Sequence, residues 1–307
     1  MAVTVRPEPK ESPGPGAEGT RATFTREAWR RLKRNRAAMV GLVMIVLLVI
    51  VALTAGLISP ADPYEQDLYS RLAPPGAPSS ITRTGTYPLG SDQLGRDILS
   101  RLLYGSRISL AVGVVSELVV LLLGVTLGAL AGYYGKWVDS VIMRVGDIMF
   151  AFPDLLFCIA IMFVLGPNIF NVFIAISVVG WAGMARLVRS QVLYLKETQF
   201  VESAKAQGLS DFRIITRHIL PNCLGPIIVS VTLGIPGAIM AEASLSFLGL
   251  GAQPPIASWG SMIYFARPYI RVAPLFSIFP GLAIAYTVFA FNLFGDGLRD
   301  ALDPRLK

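Results

Sequence analysis

The chain contains long apolar runs of the kind that cross membranes. Each has about the 20 helical residues needed to span a hydrocarbon core of roughly 30 Å. Lipid offers no hydrogen-bond partners, so backbone that crosses it must form helices or a closed barrel, and runs of this length indicate helices. The composition agrees, with 53% hydrophobic and 15% charged residues. We predict an all-α integral membrane protein with six transmembrane helices, at residues 39–58, 108–134, 141–165, 169–187, 223–248 and 276–294.

The distribution of positive charge predicts the orientation of these helices. A basic cluster that includes Arg30 and Lys33 precedes the first apolar run, which is longer than the core of a cleavable signal peptide and is expected to remain as a span. With both termini in the cytosol, twenty of the 27 Lys and Arg residues fall on the cytosolic side, as the positive-inside rule requires. We therefore interpret the net charge of +7 as a signal for orientation and not for nucleic-acid binding.

This orientation divides the chain into successive segments. Residues 1–23 are rich in Pro, Gly and Glu, which predicts a disordered cytosolic tail. The others are a basic amphipathic lead with the first span at 24–58, an extracytoplasmic loop at 59–107, a core of five spans at 108–294 with a cytosolic loop at 189–222, and a cytosolic tail at 295–307.

The end of the extracytoplasmic loop has the pattern of an amphipathic helix. Ile98, Leu99, Leu102 and Leu103 recur on one stripe, and Arg101 lies off it. We expect this helix to lie at the outer interface and to lead into the second span. It would act either as a cap over the helix bundle or as a docking surface.

Four acidic residues lie within the predicted spans and need an explanation, because a charge at membrane depth is costly. Asp147 is expected to pair with charged neighbours at the cytosolic entry of its span, which leaves three to explain. They are Glu117, Asp154 and Glu242. Asp154 follows Pro153, which interrupts its span, and is a candidate for the lining of a polar pathway. For Glu117 and Glu242 a pathway role and a buried structural carboxyl group both remain open.

The second span carries glycines four residues apart, at Gly124, Gly128 and Gly132. Such a ladder of small residues lets another helix approach closely. The neighbour would be either another helix of this chain or a helix of a partner subunit.

Motifs for catalysis or nucleotide binding are absent from the sequence. His218 is the sole histidine, so metal motifs with two histidines are excluded, and no phosphate-binding loop occurs. We predict no metal site and no enzymatic activity in this chain. Energy for active transport would have to come from an ion gradient or from another polypeptide.

A polar segment separates the fourth and fifth apolar runs, and we call its residues 199–221 the elbow. Its pattern predicts one short helix, a C-terminal cap at Gly208, and a second helix that begins at Ser210 and Asp211. Phe212, Ile215 and Ile219 are expected to share a stripe on the second helix, and Pro221 to let the chain turn into the fifth span. The sequence thus predicts two short helices at an angle that protrude into the cytosol.

The elbow carries a family resemblance. "ESAKAQG" followed by "ILPN" resembles the cytosolic EAA signature of bacterial ATP-binding-cassette importer permeases, with Glu202, Ala204, Gly208, Leu220 and Pro221 at the expected separations. It departs from the signature in Ser203 and His218. The segments "WRRLKRNRAAMVGL", "PLGSDQLGRDILSRLLYGSRISLAVG", "MAEASLSFLGLG" and "FNLFGDGLRDALDPRLK" resemble the C-type permease subunit of dipeptide and oligopeptide importers.

The resemblance implies a six-span permease of the type I importer fold in the bacterial inner membrane. It implies a homologous B-type permease, two cytosolic ATPase domains that bind ATP and Mg²⁺, an extracytoplasmic peptide-binding protein and membrane lipid as partners, with no nucleic acid and no cofactor on this chain. The residues expected to couple to the ATPases are Glu202, Ala204, Gly208, Ser210, Phe212, Leu220 and Pro221.

The cargo and the energy source have alternatives. Related permeases carry nickel chelates or glutathione, so the sequence leaves the exact substrate and the identity of the partner permease open. An ion-coupled secondary transporter would explain the acidic residues within the spans, but it would leave the elbow without a role.

Overall fold

A computed structural model describes Glu27 and residues 29–303, and the predicted tail at 1–23 lies outside these residues. Regular structure in the described part of the chain is helical, with isolated β-bridges at Pro78–Thr86 and Ser91–Asp97. The predicted all-α class is confirmed. The principal helices are α1 (Arg36–Ile58), α2 (Ile98–Tyr134), α3 (Lys136–Phe150), α4 (Asp154–Leu165), α5 (Ile169–Leu195), α6 (Gln199–Ala206), α7 (Asp211–Phe247), α8 (Trp259–Ala266) and α9 (Leu275–Leu302).

Within the described residues, five of these helices are long and apolar enough to cross a membrane: α1, α2, α5, α7 and α9. The sixth predicted span, at 141–165, is instead formed by α3 and α4, which meet at an angle of 92°. Pro153 lies at the break, where its missing N–H and its ring prevent the helix of α3 from continuing into α4. The predicted interruption of this span at Pro153 is confirmed, and the segment is a broken span or a re-entrant pair, which gives six spans if the bent pair counts as one.

Helix α2 is longer than the predicted second span. It begins at Ile98, where the Asp97 side chain accepts a hydrogen bond from Ser100 N, and continues without a break to Tyr134. The amphipathic segment expected at the outer interface is therefore the first three turns of the same helix. At 37 residues, α2 is roughly 55 Å long and extends beyond both faces of a hydrocarbon core.

The glycine ladder of α2 packs inside the chain against α5. A Cβ atom on Gly124 would lie 2.5 Å from the Met184 side chain, and one on Gly128 would lie 2.5 Å from the carbonyl oxygen of Ala185. A Cβ atom on Gly132 would lie 2.8 Å from the Val192 side chain. The two backbones approach along most of their length because the three glycines carry no side chain.

Helix α7 contains the second half of the elbow and the fifth span in one continuous helix. The prediction that Pro221 turns the chain is wrong. Ile215–Ile219 form a π-helical turn, in which Leu220 N donates to the carbonyl oxygen of Ile215 five residues earlier. The wider π turn accommodates a proline that has no N–H to donate, so the helix continues past Pro221.

The C-terminal segment predicted as a cytosolic tail at 295–307 is helical up to Leu302. Two glycines of α9 allow this part of the helix to pack closely against α7 and α1. A Cβ atom on Gly295 would lie 2.4 Å from Leu233 of α7, and one on Gly297 would lie 2.2 Å from Ala38 of α1. The end of α9 is therefore part of the helix bundle, and only residues 304–307 lie outside the described part of the chain.

Residues 59–97 form an irregular but well-connected segment at the end of the bundle opposite the elbow, and we call it the cap. Its centre is the fully buried Asp92, whose Oδ2 lies 2.6 Å from Arg96 Nε and 3.4 Å from Arg101 Nε. Arg101 Nη1 also donates to the carbonyl oxygen of Pro63. Arg101 was expected on a polar face of its helix, and it is buried instead because Asp92 supplies the counter-charge.

Candidate functional site

The elbow has one face packed into the chain. Val201 and Ala204 of α6 and Ile214, Ile215 and Ile219 of α7 are buried. They share one hydrophobic cluster with residues of α2 and α5, among them Ala129, Val188 and Val192. Of the predicted stripe, Ile215 and Ile219 lie on this face, whereas Phe212 does not. Movement of the elbow therefore has to move, or slide against, the helices that share its core.

The opposite face of the elbow is exposed and carries both polar and aromatic side chains. Glu202, Gly208 and Ser210 are exposed, and the Phe212 side chain is 77% exposed. Phe200 is 42% exposed on the same segment. An exposed phenylalanine between polar neighbours is the arrangement expected where a short helix inserts into a partner.

The angle between the two arms of the elbow comes from a helix-ending motif at Gly208. Gly208 N donates to the carbonyl oxygen of Lys205, and Leu209 N donates to that of Ala204, which is the Schellman pattern. Gly208 has φ +76°, in the left-handed region that favours glycine. Leu209 packs against the cluster that contains Ala204, so the hydrophobic contact typical of this motif is present.

The predicted coupling residues fall into two groups. Glu202, Gly208, Ser210 and Phe212 face away from the chain and are available to a partner. Ala204 is buried, and Leu220 and Pro221 are partly buried. This second group packs at least partly into the chain.

Sequence reasoning missed Tyr133, which touches both arms of the elbow. Its hydroxyl group donates a hydrogen bond of 2.7 Å to Asp211 Oδ1. Its ring lies 5.6 Å from Lys205 Nζ, a cation–π distance. Tyr133 is 78 residues from Asp211 in the sequence, so no local pattern could indicate the contact.

Glu117 lies near the middle of α2 and is 7% exposed. A Cβ atom on Gly234 of α7 would lie 2.4 Å from its carboxyl carbon, so the glycine provides the space for the carboxyl group. Within the described residues Glu117 makes no hydrogen bond or ion pair, and its cost of burial is not offset by a partner there.

Glu242 is fully buried and sits among serines. Ser246 Oγ donates to its Oε1 at 2.6 Å, the hydroxyl groups of Ser109 and Ser258 also approach the carboxyl group, and Oε2 has no hydrogen-bond partner among the described residues. Trp259 N in turn donates to Ser109 Oγ. The arrangement connects α7, α8 and α2 near the cap, and it lines no open surface.

The three acidic residues do not form one site. Glu242 follows Gly234, the contact of Glu117, by eight residues of the same helix, which corresponds to about 12 Å along the axis. Asp154 is exposed at the first position of α4. Among the three, Glu117 is the one that combines deep burial with a carboxyl group that no neighbouring side chain satisfies.

A cleft of about 780 Å³ lies between α5, α7 and α9. Its lining extends from Gln191 and Arg299, near the elbow end of the bundle, to Gly234. Gly234 also lies against the carboxyl group of Glu117, so the acidic group is next to the lining of the cleft. No group of three or more potential metal ligands occurs within the described residues.

Comparison with known proteins identifies similar sequences. Residues 124–307 match the family described as binding-protein-dependent transport system inner membrane component, and residues 23–75 match the N-terminal TM domain of oligopeptide transport permease C. The chain is 46% identical to the dipeptide transport system permease protein DppC of Alkalihalophilus pseudofirmus, over 98% of this chain and 96% of the relative. It is 47% identical to the glutathione transport system permease protein GsiD of Pectobacterium atrosepticum, over 92% and 91% of the two chains.

Among solved structures, the fold resembles a chain of the MetNI methionine ABC transporter, captured in inward-facing conformations. The TM-score is 0.54 at 17% sequence identity, and the match covers 66% of this chain and 96% of that chain. At this identity the likeness concerns the fold alone.

Proposed function

Because the chain belongs to the family of binding-protein-dependent transport system inner membrane components, we propose that it is one permease subunit of an ATP-driven importer for dipeptides or oligopeptides. It would pair with a homologous B-type permease, receive peptide from an extracytoplasmic binding protein, and bind two cytosolic ATPase domains. ATP and Mg²⁺ would be held by those domains. The observation that carries the proposal is the two-faced elbow, with an exposed face for a partner and a buried face inside the transmembrane bundle.

In the proposed mechanism, ATPase closure moves the elbow. The elbow shares its hydrophobic cluster with α2, α5 and α7, so its displacement tilts these helices and changes the side on which the pathway opens. A swing of the population from 1:99 to 99:1 requires a difference of about 5.5 kcal/mol in binding to the two states. Nucleotide binding and hydrolysis on the partner would supply that difference.

We place the pathway at the face of the bundle that includes the cleft between α5, α7 and α9. Glu117 is the acidic residue that we retain as the first pathway candidate, with Asp154 as the second, because the carboxyl group of Glu242 is enclosed. Glu117→Gln is expected to restrict the range of peptides that are taken up or to lower their rate of uptake. The amount of assembled complex should stay at the wild-type level. Uptake of every peptide at the wild-type rate would remove Glu117 from the pathway.

The energy source is tested with intact cells that carry the chain and its partner subunits. ATP depletion is expected to abolish uptake of a labelled dipeptide, whereas an uncoupler that collapses the ion gradient leaves it. The opposite result would favour an ion-coupled carrier and overturn the proposal. Retention of ATPase subunits on the purified permease is the second expected result.

The orientation is tested with impermeant thiol labelling in the inner membrane, where we propose that both termini are cytosolic. Ser203→Cys on the exposed face of the elbow should be labelled only from the cytosolic side, and Tyr69→Cys in the cap only from the outside. Cys158 and Cys223 are buried and should remain unlabelled in the folded protein. Labelling of the elbow position from the outside would invert the topology and refute ATPase coupling through the elbow.

A second cargo is supported by one specific observation, the 47% identity to the glutathione permease. Glutathione is itself a short peptide with an unusual first linkage, so the two cargoes differ in a small part of the molecule. Competition between labelled glutathione and an unlabelled dipeptide in the same cells would distinguish the cases. Uptake of glutathione that excess dipeptide leaves unchanged would assign the chain to glutathione.

A further inference from the structure

Tyr133 lies at the point where α2 meets the elbow. One residue earlier, Gly132 is packed against Val192 and the backbone of Arg189, so the end of α2 is held closely against α5. From this fixed position the Tyr133 ring packs against the cluster that contains the buried elbow residues. The side chain is therefore anchored at its base and reaches into the elbow at its tip.

The tip of Tyr133 contacts both arms at once. Its hydroxyl group donates to Asp211 in the first turn of α7, and its ring receives the ammonium group of Lys205 from the last turn of α6. Asp211 is also well placed for a carboxylate, because it lies at the N-terminal end of a helix dipole. Gly208 permits the bend between the arms, but its own surroundings are open and do not restrict the angle. Tyr133 supplies such a restriction.

The other end of the same helix is joined to the cap. Arg101 lies within the first two turns of α2 and is paired with Asp92 in the buried ionic centre of the cap. A single helix of roughly 55 Å thus connects the cap to the elbow without an internal break. Rigid helices packed against their neighbours are among the elements that can carry coupling between distant sites.

We propose that Tyr133 is a positioning residue that sets the angle of the elbow and joins it to α2, so that events at the cap and at the ATPases influence each other through this helix. The proposal rests on the proposed function. In an importer of that kind, peptide delivery occurs on the cap side and ATP hydrolysis on the elbow side. Coupling between two binding events is reciprocal, so docking outside should alter the ATPase inside through the Tyr133 contact.

The experiment uses the complete complex in proteoliposomes and measures ATPase activity with and without the peptide-loaded binding protein. Tyr133→Phe removes the hydroxyl group and keeps the ring, the packing and the cation–π contact. We expect the ratio of stimulated to basal ATPase activity to fall at least about fivefold, the lower range of allosteric coupling. Basal activity, the unfolding midpoint and the amount of co-purified ATPase should match the wild type.

Tyr134→Phe is the matched control. Tyr134 is the next residue, 49% exposed, and its hydroxyl group makes no hydrogen bond within the described part of the chain. Its variant should keep the wild-type ratio. Asp211→Ala should lower the ratio as Tyr133→Phe does, and the double variant should be no worse than either single one, because both remove the same contact.

The remaining outcomes of these measurements would refute either the role of Tyr133 or the proposed function. If Tyr133→Phe retains the wild-type stimulation ratio, or loses the ATPase subunits altogether, the positioning role is refuted, and in the second case the residue serves docking. Effects of Tyr133→Phe and Asp211→Ala that add in the double variant would also refute it, because the two residues would then act separately. If the wild-type permease retains no ATPase and its uptake needs no ATP, the proposed function itself fails, which the Tyr133 variants alone would not show.

Discussion

The cap and the elbow lie at opposite ends of the bundle and are stabilised in different ways. The cap is held by polar contacts, with an ionic centre of Asp92, Arg96 and Arg101 that is excluded from solvent. The elbow is held by apolar packing on one face and leaves the other face exposed. Both contain glycines in the left-handed region, but the surroundings of those glycines differ.

The difference suggests how each end can behave when it is pulled or pushed. Buried ionic contacts require specific geometry, since a charge that loses its partner inside a protein is very costly. Apolar packing is less directional, so one apolar surface can slide over another at a lower cost. We infer that the cap moves as one rigid piece and that the elbow can change its angle, and the four substitutions below test this contrast in order of their expected effect on the stability of the chain.

Asp92→Ala should have the largest effect. It leaves the buried Arg96 and Arg101 without a counter-charge, and the loss of one partner of a buried ion pair costs about 3–5 kcal/mol. The measurement is the unfolding midpoint of the purified chain in detergent. Glu65→Ala, an exposed change in the same segment, is the control and should be neutral. A midpoint close to that of the control would show that the ionic centre does not hold the cap together.

Gly95→Ala should have the next largest effect. Gly95 has φ +74°, and a Cβ atom there would lie 1.7 Å from the carbonyl oxygen of Asp67. The clash and the left-handed conformation together are expected to cost about 2–4 kcal/mol. Gly85→Ala measures the cost of the left-handed conformation alone, because Gly85 has φ +70° and no atoms near its missing Cβ. Equal midpoints for the two variants would mean that the cap yields around the new methyl group and is not rigid.

The two regions also differ in how far the sequence predicted them. Hydropathy located five spans correctly, because the bilayer imposes a length and a composition that a single segment must satisfy by itself. The amphipathic helix at the start of α2 was predicted correctly, but the burial of Arg101 within it was not. Arg101 depends on Asp92, which lies in an irregular loop that has no periodicity to align the two residues.

In the elbow, the sequence indicated the parts with local causes and missed the parts with tertiary causes. The end of α6 at Gly208 follows from local hydrogen bonds, and so does the start of the next helix. The continuity of α7 through Pro221 depends on the π turn before it, and the Tyr133 contact depends on how α2 is packed. Neither is visible in the spacing of residues along one segment.

Gly208→Val should destabilise the chain less than Asp92→Ala and Gly95→Ala do. It should impair transport more than they do. Gly208 has φ +76° with no atoms near its missing Cβ, so the cost is the left-handed conformation alone, about 1–2 kcal/mol. A β-branched residue should shift the elbow angle, so that ATP hydrolysis continues with a severalfold lower peptide uptake per ATP. Gly85→Val imposes the same backbone cost in the cap and should leave this ratio unchanged. Unchanged uptake per ATP in Gly208→Val would show that the angle is not part of coupling.

Phe212→Ala should have the smallest effect on the chain and a large effect on its partners. The side chain is 77% exposed, and surface changes of this kind usually alter stability by less than about 0.5 kcal/mol. If the phenylalanine inserts into an ATPase subunit, its loss should cost at least about 2 kcal/mol of binding, a decrease in affinity of roughly 30-fold that co-purification would detect. Val272→Ala is the control, since Val272 is equally exposed on the cap side of the bundle. Retention of the ATPases by both variants would leave the exposed elbow face without a partner and would contradict the insertion of Phe212 into an ATPase subunit.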